Sequence, residues 1–314
     1  MNATRRIVMC LLLLMPFWAG GCDDTVNPNA PYEPRIVVYC ILSTGTNKQF
    51  VRTYATADPS QTSKDMAEPF VGDATITLSQ QNTVYQLRDT TIARSDTSRY
   101  SKGVGAKVAS PLVPKYGSEY VLKVQSQTLG TYVARTTIPK RGSISSPFIY
   151  ILQTPGDYNY DLPLDVKVYG RGYVLRMMLQ YEVEINGIWF EQTEEVPRSM
   201  GIGISEVLFP VVVEAQGQGE KLKWPLETLK YTFAGIMKRF EMNHITFKRV
   251  VLQLRQYDEN LFNYFQIVNS FHDARSIRVD MPDYSNIPNG QGVFGACTVE
   301  ELVYELPPDF IKNH

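Results

Sequence analysis

Histidine is scarce in this chain: His244, His272 and His314 are the only three. Histidine is the side chain most used for proton transfer near neutral pH, so its scarcity argues against triads and zinc-hydrolase centres. His314 is the last residue, His272 ends an amphipathic helical pattern, and His244 lies in the turn before a strand. A Gly-x-Ser-x-Gly elbow, a His-Glu-x-x-His pair and a glycine-rich phosphate loop are all missing. There is also no basic stripe interleaved with aromatics, and a formal net charge of −1 supplies no counterion-release energy on a phosphate backbone. Nucleic acid is not an expected partner. Cysteine is scarce too, with four residues whose spacing fits neither a metal site nor a redox pair. No enzyme activity, cofactor or metal is therefore expected.

What is present begins at the N-terminus. Arg5 and Arg6 are followed by an apolar run, Ile7 to Trp18, and then by Ala19-Gly20-Gly21-Cys22. A positive n-region, an apolar h-region and a small-residue cleavage site ending on cysteine have the form of a bacterial lipoprotein signal. The mature chain then starts at Cys22, whose thiol carries lipid and anchors the protein to a membrane without spanning it. A transmembrane anchor is the poorer reading, since a spanning helix needs about 20 apolar residues. An ordinary secreted protein cleaved near Gly21 is a second alternative. Without residues 1–21, which hold two arginines and no acid, 29 basic and 32 acidic residues remain, a net charge of −3. Cys10 leaves with the signal and Cys22 is acylated, so Cys40 and Cys297 are left, and the sequence leaves open whether they pair.

Residues 22–34 are rich in Asp, Asn and Pro and read as an extended tether. From 35 to 142 short strands recur: Arg35–Leu42, Gln49–Ala55, Ala74–Ser79, Val84–Arg88, Glu119–Gln125 and Gly130–Ile138. Their alternation, together with 19 tyrosines and many β-branched residues, predicts an immunoglobulin/fibronectin-like β-sandwich. Leu112 to Tyr120 has the look of a tyrosine corner, with Tyr120 pinning the start of a strand through its hydroxyl. A polar break at Lys140–Pro147 predicts a boundary, and 143–314 reads as a second β-rich domain with two short helices.

In that second part Tyr173, Leu175, Met177, Leu179, Tyr181, Val183 and Ile185 are apolar at period two. Asn186-Gly187 is the signature of a two-residue turn, so Ile188 should oppose Ile185 and Phe190 should oppose Val183. Trp189 then falls on the polar face, where it either packs beneath a loop or presents an indole to a ligand or partner. A helix is expected over Leu226–Phe240 behind Pro225, a strand over Ile245–Arg255, and a second helix capped by Asp258 with Leu261, Phe265, Val268 and Phe271 buried. Gly292–Leu306 reads as a returning strand. Glu182, Glu184, Glu194 and Glu195 are weak carboxylate candidates for glycan hydrolysis. Asp157 to Asp161, with Asp165, resembles only the start of a calcium loop, because the glycine and closing glutamate are missing.

The stretch Tyr284-Ser285-Asn286-Ile287-Pro288-Asn289-Gly290-Gln291-Gly292-Val293-Phe294-Gly295-Ala296 resembles the closing signature of lipoproteins grouped as domain of unknown function 4249, common in Bacteroidetes-type bacteria. The order of "VGDATITL", "YGSEYVLKV", "ARTTIP" and "ENLFNYFQIVNSF" extends the resemblance over nearly the whole mature chain. Read from the residues alone, Asn289, Gly290 and Gly292 supply positive φ for a tight turn, and Phe294 plugs a core. A ligand loop is the alternative. The resemblance implies an outer-membrane lipoprotein with no established activity, often encoded near TonB-dependent receptors. The expectation is a non-enzymatic, lipid-anchored accessory or binding protein exposed on the cell surface; an adhesin or pilus-like subunit and a carboxylate-based glycan hydrolase are the alternatives.

Overall fold

The computed structural model describes residues 32–56, 70–93, 103–146, 160–200, 207–240, 244–269 and 284–307, with side chains of α2 described through 267. In chain order the first strands are β1 (Ile36–Ser43), β2 (Gln49–Ala55), β3 (Thr75–Gln80), β4 (Thr83–Gln86), β5 (Arg88–Ala93), β6 (Gly103–Ala109), β7 (Glu119–Ser126) and β8 (Gly130–Thr137). Then come β9 (Ser143–Ser145), β10 (Asp161–Lys167), β11 (Gly172–Ile185), β12 (Ile188–Val196), β13 (Ser199–Met200), β14 (Val207–Leu208), β15 (Val213–Glu214) and β16 (Gly219–Pro225). Helix α1 (Leu226–Arg239), strand β17 (Ile245–Tyr257), helix α2 (Glu259–Asn269) and strand β18 (Gln291–Glu305) complete the order. The protein is mainly β, as its alternation predicts.

One long sheet organises the molecule. Its strands run β12-β11-β17-β18-β1-β2-β6-β5, with β15 also on β11. All its pairings are antiparallel except β1 with β18, which run parallel with Cys40 opposite Phe294. Two smaller sheets, β4-β3-β7-β8 and β16-β10-β9, cover it. Ile36, Val38, Cys40 and Leu42 of β1 pack against Ile76, Leu78, Tyr120, Leu122 and Val124 of the first small sheet. Phe294 and Ala296 of β18 enter the same core. The second core joins alternate residues of β11, from Tyr173 to Val183, with Leu162, Leu164, Val166, Trp224 and the buried face of α1. Leu302, Tyr304 and Leu306 follow Phe294 and Ala296 at even spacing and pack on that second core, so both cores lie on one face of the long sheet. Helix α2 covers the other face through Leu261 and Phe262 beside Val174, Tyr257 and Cys297.

The described residues from Pro34 to Pro307 belong to one compact unit. The boundary expected near 142 falls between the two cores, while the long sheet runs across it. The strand expected over Val84–Arg88 is broken at Leu87: β4 stays in the small sheet and β5 crosses to the large one. Strand β6 has no counterpart among the sequence expectations. Cys40 faces the first core and Cys297 the α2 side, so both thiols are buried and free.

Local chemistry accounts for the remaining landmarks. Asn186 and Gly187 have φ of 54° and 79°, the two positive values of a type I′ turn, and Ile185 pairs Ile188 while Val183 pairs Phe190. Leu226, Leu229, Phe233 and Ile236 form the buried stripe of α1, with Lys238 and Arg239 in its last turn, where the helix dipole favours positive charge. Asp258 caps α2 by accepting from the Leu261 N–H at 3.0 Å. Leu261 is buried and Phe265 partly so; the side chains of Val268 and Phe271 lie outside the described residues.

Candidate binding site

Of the residues singled out in the sequence, several are brought together structurally. Tyr120 is fully buried, and its hydroxyl accepts from the Lys115 N–H at 3.1 Å, which pins the turn before β7. Phe294 is fully buried, and Asn286 lies beside it with its amide on the Phe294 backbone. Asn289, at φ 62°, closes a turn in which the Gly290 N–H donates to the Ile287 carbonyl. Gly292 has φ 102° and a Cβ there would stand 2.1 Å from the Val38 carbonyl oxygen. Gly290 differs from expectation. It is not among the positive-φ residues, and what it provides is space, since a Cβ would crowd Ile287 and Ile36. The whole motif thus seats β18 against β1.

Trp189 sits opposite Glu184 on the hairpin and is 45% exposed. Ile188 and Phe190, on the other face, are exposed as well, because the hairpin outruns the core beneath it. The candidate carboxylates each face a partner. Glu182 pairs with Lys248 at 2.6 Å, Glu184 with His244 at 3.0 Å, Glu194 with Arg239, and Glu195 with Arg176. Asp161 and Asp165 point outward from β10, and Asp157 lies outside the described residues, as do Cys22, His272 and His314. Among the described residues no group of three or more His, Cys, Asp or Glu is placed to hold a metal ion.

The concave site of greatest chemical interest involves residues that the sequence did not single out. Strand β12 leaves β11 at the Val196–Met177 pair and β15 joins it at the Val213–Tyr173 pair. Between them the edge of β11 at Val174, Leu175 and Arg176 has no strand partner on that side among the described residues. Pro197, directly after β12, lacks the N–H needed to extend the ladder. The notch opens into a pocket of about 530 Å³ floored by Tyr173, Leu175, Leu222 and Trp224 and walled by Leu208, Phe209, Pro210, Val211 and Val213. That volume is within the range of small-molecule sites, about 300–1,000 Å³. The wall residues Phe209 and Val211 remain largely exposed.

Arg198 is the only charged residue among the described residues that line this pocket. Its N–H donates to the Leu208 carbonyl at 2.7 Å, which holds the backbone, and its guanidinium carbon lies 4.9 Å from the centroid of Trp224. A cation over an indole is worth about 0.5–2 kcal/mol. The indole is fixed in turn, fully buried with Nε1 donating to Thr228 Oγ1 at 3.3 Å. Burial lowers the Arg198 pKa, while Asp161 acts against that shift through space; the guanidinium stays charged. Its Nη1 is buried with no hydrogen-bond partner. A buried charged donor without an acceptor is destabilising by about 1–3 kcal/mol or more, and such a group is commonly retained for a ligand. Tyr173, on the floor, donates its hydroxyl to Glu220, and burial followed by that carboxylate pushes the phenol pKa upward. The sequence signal for the wall was Val207–Val213, an uncharged apolar run with no period-two alternation.

The protein is thus a mainly β chain with two cores on one long sheet, beside which the described residues form an apolar pocket lined by Arg198. By sequence the chain belongs to the family described as domain of unknown function (DUF4249), whose model matches residues 23–302. No curated protein matches the chain.

Proposed function

We propose that the protein is a non-enzymatic binding protein of the outer membrane, held by lipid on Cys22, facing the cell surface and working with a TonB-dependent transporter. The observation that carries the binding part is the Arg198 pocket, preformed, apolar and holding one buried donor without a partner. The anchor rests on the lipoprotein-type signal ending at Cys22. Among the described residues no helix is long and apolar enough to cross a membrane. Surface exposure rests on Asp23 and Asp24 directly after Cys22, which resemble the acidic export signals of lipoproteins in this bacterial group. Trp189, exposed at the end of a rigid hairpin, is the contact we assign to the transporter.

Radiolabelled palmitate and protease shaving of intact cells test this reading together. The wild-type chain should incorporate label and be cut on intact cells, and Cys22→Ala should lose the label and leave the membrane fraction. Label retained by Cys22→Ala overturns the anchor. Survival of shaving, with cleavage only after the outer membrane is opened, overturns the surface face. Co-purification with an outer-membrane barrel that is lost in Trp189→Ala supports the partner, and unchanged recovery removes Trp189 from that role.

A further inference from the structure

The Arg198 pocket also indicates what kind of molecule fits it, provided the binding reading above holds. Its accessible surface is mainly the side chains of Leu208, Phe209, Val211 and Val213 with Leu222, over a floor of buried Tyr173, Leu175 and Trp224. Such a lining rewards an apolar body, because burial removes both surfaces from water. An uncharged polar ligand such as a sugar would find few partners there: Ser199, the Tyr173 hydroxyl already committed to Glu220, and Arg198. Arg198 adds one positive charge at one point of the wall; among the described lining residues none is acidic, and Asp161 acts on it only through space. Its Nη1 is shut off from water and accepts no help from the protein. The missing partner is therefore an acceptor.

We propose that this pocket takes a small amphipathic monoanion, an apolar body ending in a carboxylate, and that Arg198 is the residue that recognises the carboxylate. The planar guanidinium fork matches a carboxylate through two parallel N–H···O bonds. A single cation balances at most one negative charge, and Asp161 already offsets part of it, so the second charge of a phosphate monoester has no partner in an apolar site. Trp224 supports the guanidinium from one side and the Leu208 carbonyl holds its backbone, so binding asks only for a side-chain rotation that brings the covered Nη1 to the acceptor.

Trp224 supplies the readout. Trp189 is the other indole of the mature chain, so Trp189→Phe leaves Trp224 as the reporter. Purified protein in that background is titrated with decanoate, decanol and decyl phosphate, following Trp224 emission. Decanoate should bind saturably and tighter than decanol by about tenfold or more, the worth of a charge-assisted hydrogen bond to a desolvated partner. Arg198→Met should abolish that preference while keeping decanol binding, and Arg198→Lys should keep part of it; far-UV circular dichroism confirms that each variant is folded. Equal affinity for decanoate and decanol overturns the anion assignment but leaves an apolar binding site. Tighter binding of decyl phosphate overturns the carboxylate. A preference that survives in Arg198→Met overturns the role of Arg198. Failure of all three probes to bind overturns the binding function itself at this pocket.

Discussion

Asn286 and Phe294 exchange two hydrogen bonds, with Asn286 Nδ2 donating to the Phe294 carbonyl at 2.7 Å and the Phe294 N–H donating to Asn286 Oδ1 at 2.8 Å. A side-chain amide carries one donor and one acceptor in the spacing of a peptide group, so Asn286 stands in for a neighbouring strand. It is needed because β17 pairs with β18 only from Cys297 onward, leaving the earlier residues of β18 without a ladder partner on that side. Asn286→Ala should cost about 2–3 kcal/mol, the two bonds plus the unmet backbone groups of a buried residue. Urea unfolding should show a lower midpoint with an unchanged slope; an unchanged midpoint would show that the exchange contributes nothing.

Asp258 does similar work at the next pair, accepting from the Ala296 N–H at 3.0 Å and from Thr136 while it caps α2. Burial raises its pKa, and the hydrogen bonds pull it partway back. A carboxyl whose folded pKa lies above the unfolded one binds more protons when folded, so its contribution declines as pH rises from near 3.8 through the raised folded value and is flat above it. Asp258→Asn keeps an oxygen acceptor for both N–H groups, and its Nδ2 can donate to Thr136 Oγ1, reversing the bond in which Thr136 donates to the carboxylate. The variant should be at least as stable as wild type at pH 7, and the difference should shrink as pH falls toward 4. Melting temperatures across pH 4–7 that run parallel in the two proteins would refute the linkage.

At the hairpin, nothing lies within 4 Å of a Cβ added to Gly187, so the demand there is conformational alone. Gly187→Val should destabilise by about 1–2 kcal/mol, the penalty of placing a β-branched residue at positive φ. Gly187→Asn should be much milder, because asparagine tolerates that region. Thermal melts of the two variants separate strain at this turn from loss of a contact; equal melting temperatures would remove the strain argument.

Cys40 and Cys297 predict a simple chemical result. Ser43, not Cys40, is the β1 partner of Cys297, and the two thiols face opposite sides of the sheet. Burial pushes both thiol pKa values upward, which suppresses the reactive thiolate. A thiol reagent should find neither in the native mature protein and both after denaturation. A single band shift on reduction in a non-reducing gel would contradict this.

The strands most legible in the sequence were those that obey a local rule. Tyr173 to Ile185 alternates over seven apolar positions and ends on Asn186-Gly187, so strand, turn and register all follow from nearest-neighbour chemistry. Strand β5 was illegible because Arg88, Asp89, Thr90 and Thr91 are polar and partly or fully exposed at the sheet edge. Strand β6 was illegible because Gly103, Gly105 and Ala106 leave little hydrophobic signal. The parallel pairing of β1 with β18 could not be read locally at all, since apolar runs do not name their partners. The Arg198 pocket was hidden for the same reason. Leu175, Arg198, Val211 and Trp224 come from four separate segments, and an arginine looks ordinary until its donors are counted.

That parallel pairing bears on how the chain is made. Strand β1 precedes every other described strand in the chain and waits for β18, about 250 residues later, to fill its open edge and deliver Phe294 to its core. Contacts of such long sequence separation form late and slowly. During synthesis, N-terminus first, most of the polypeptide has to emerge before β18 can close the first core, so the nascent chain keeps that edge open until late. A stop anywhere before β18 leaves an unsealed sheet edge, and the integrity of this fold therefore reduces to one question asked near the end of synthesis: whether β18 has arrived.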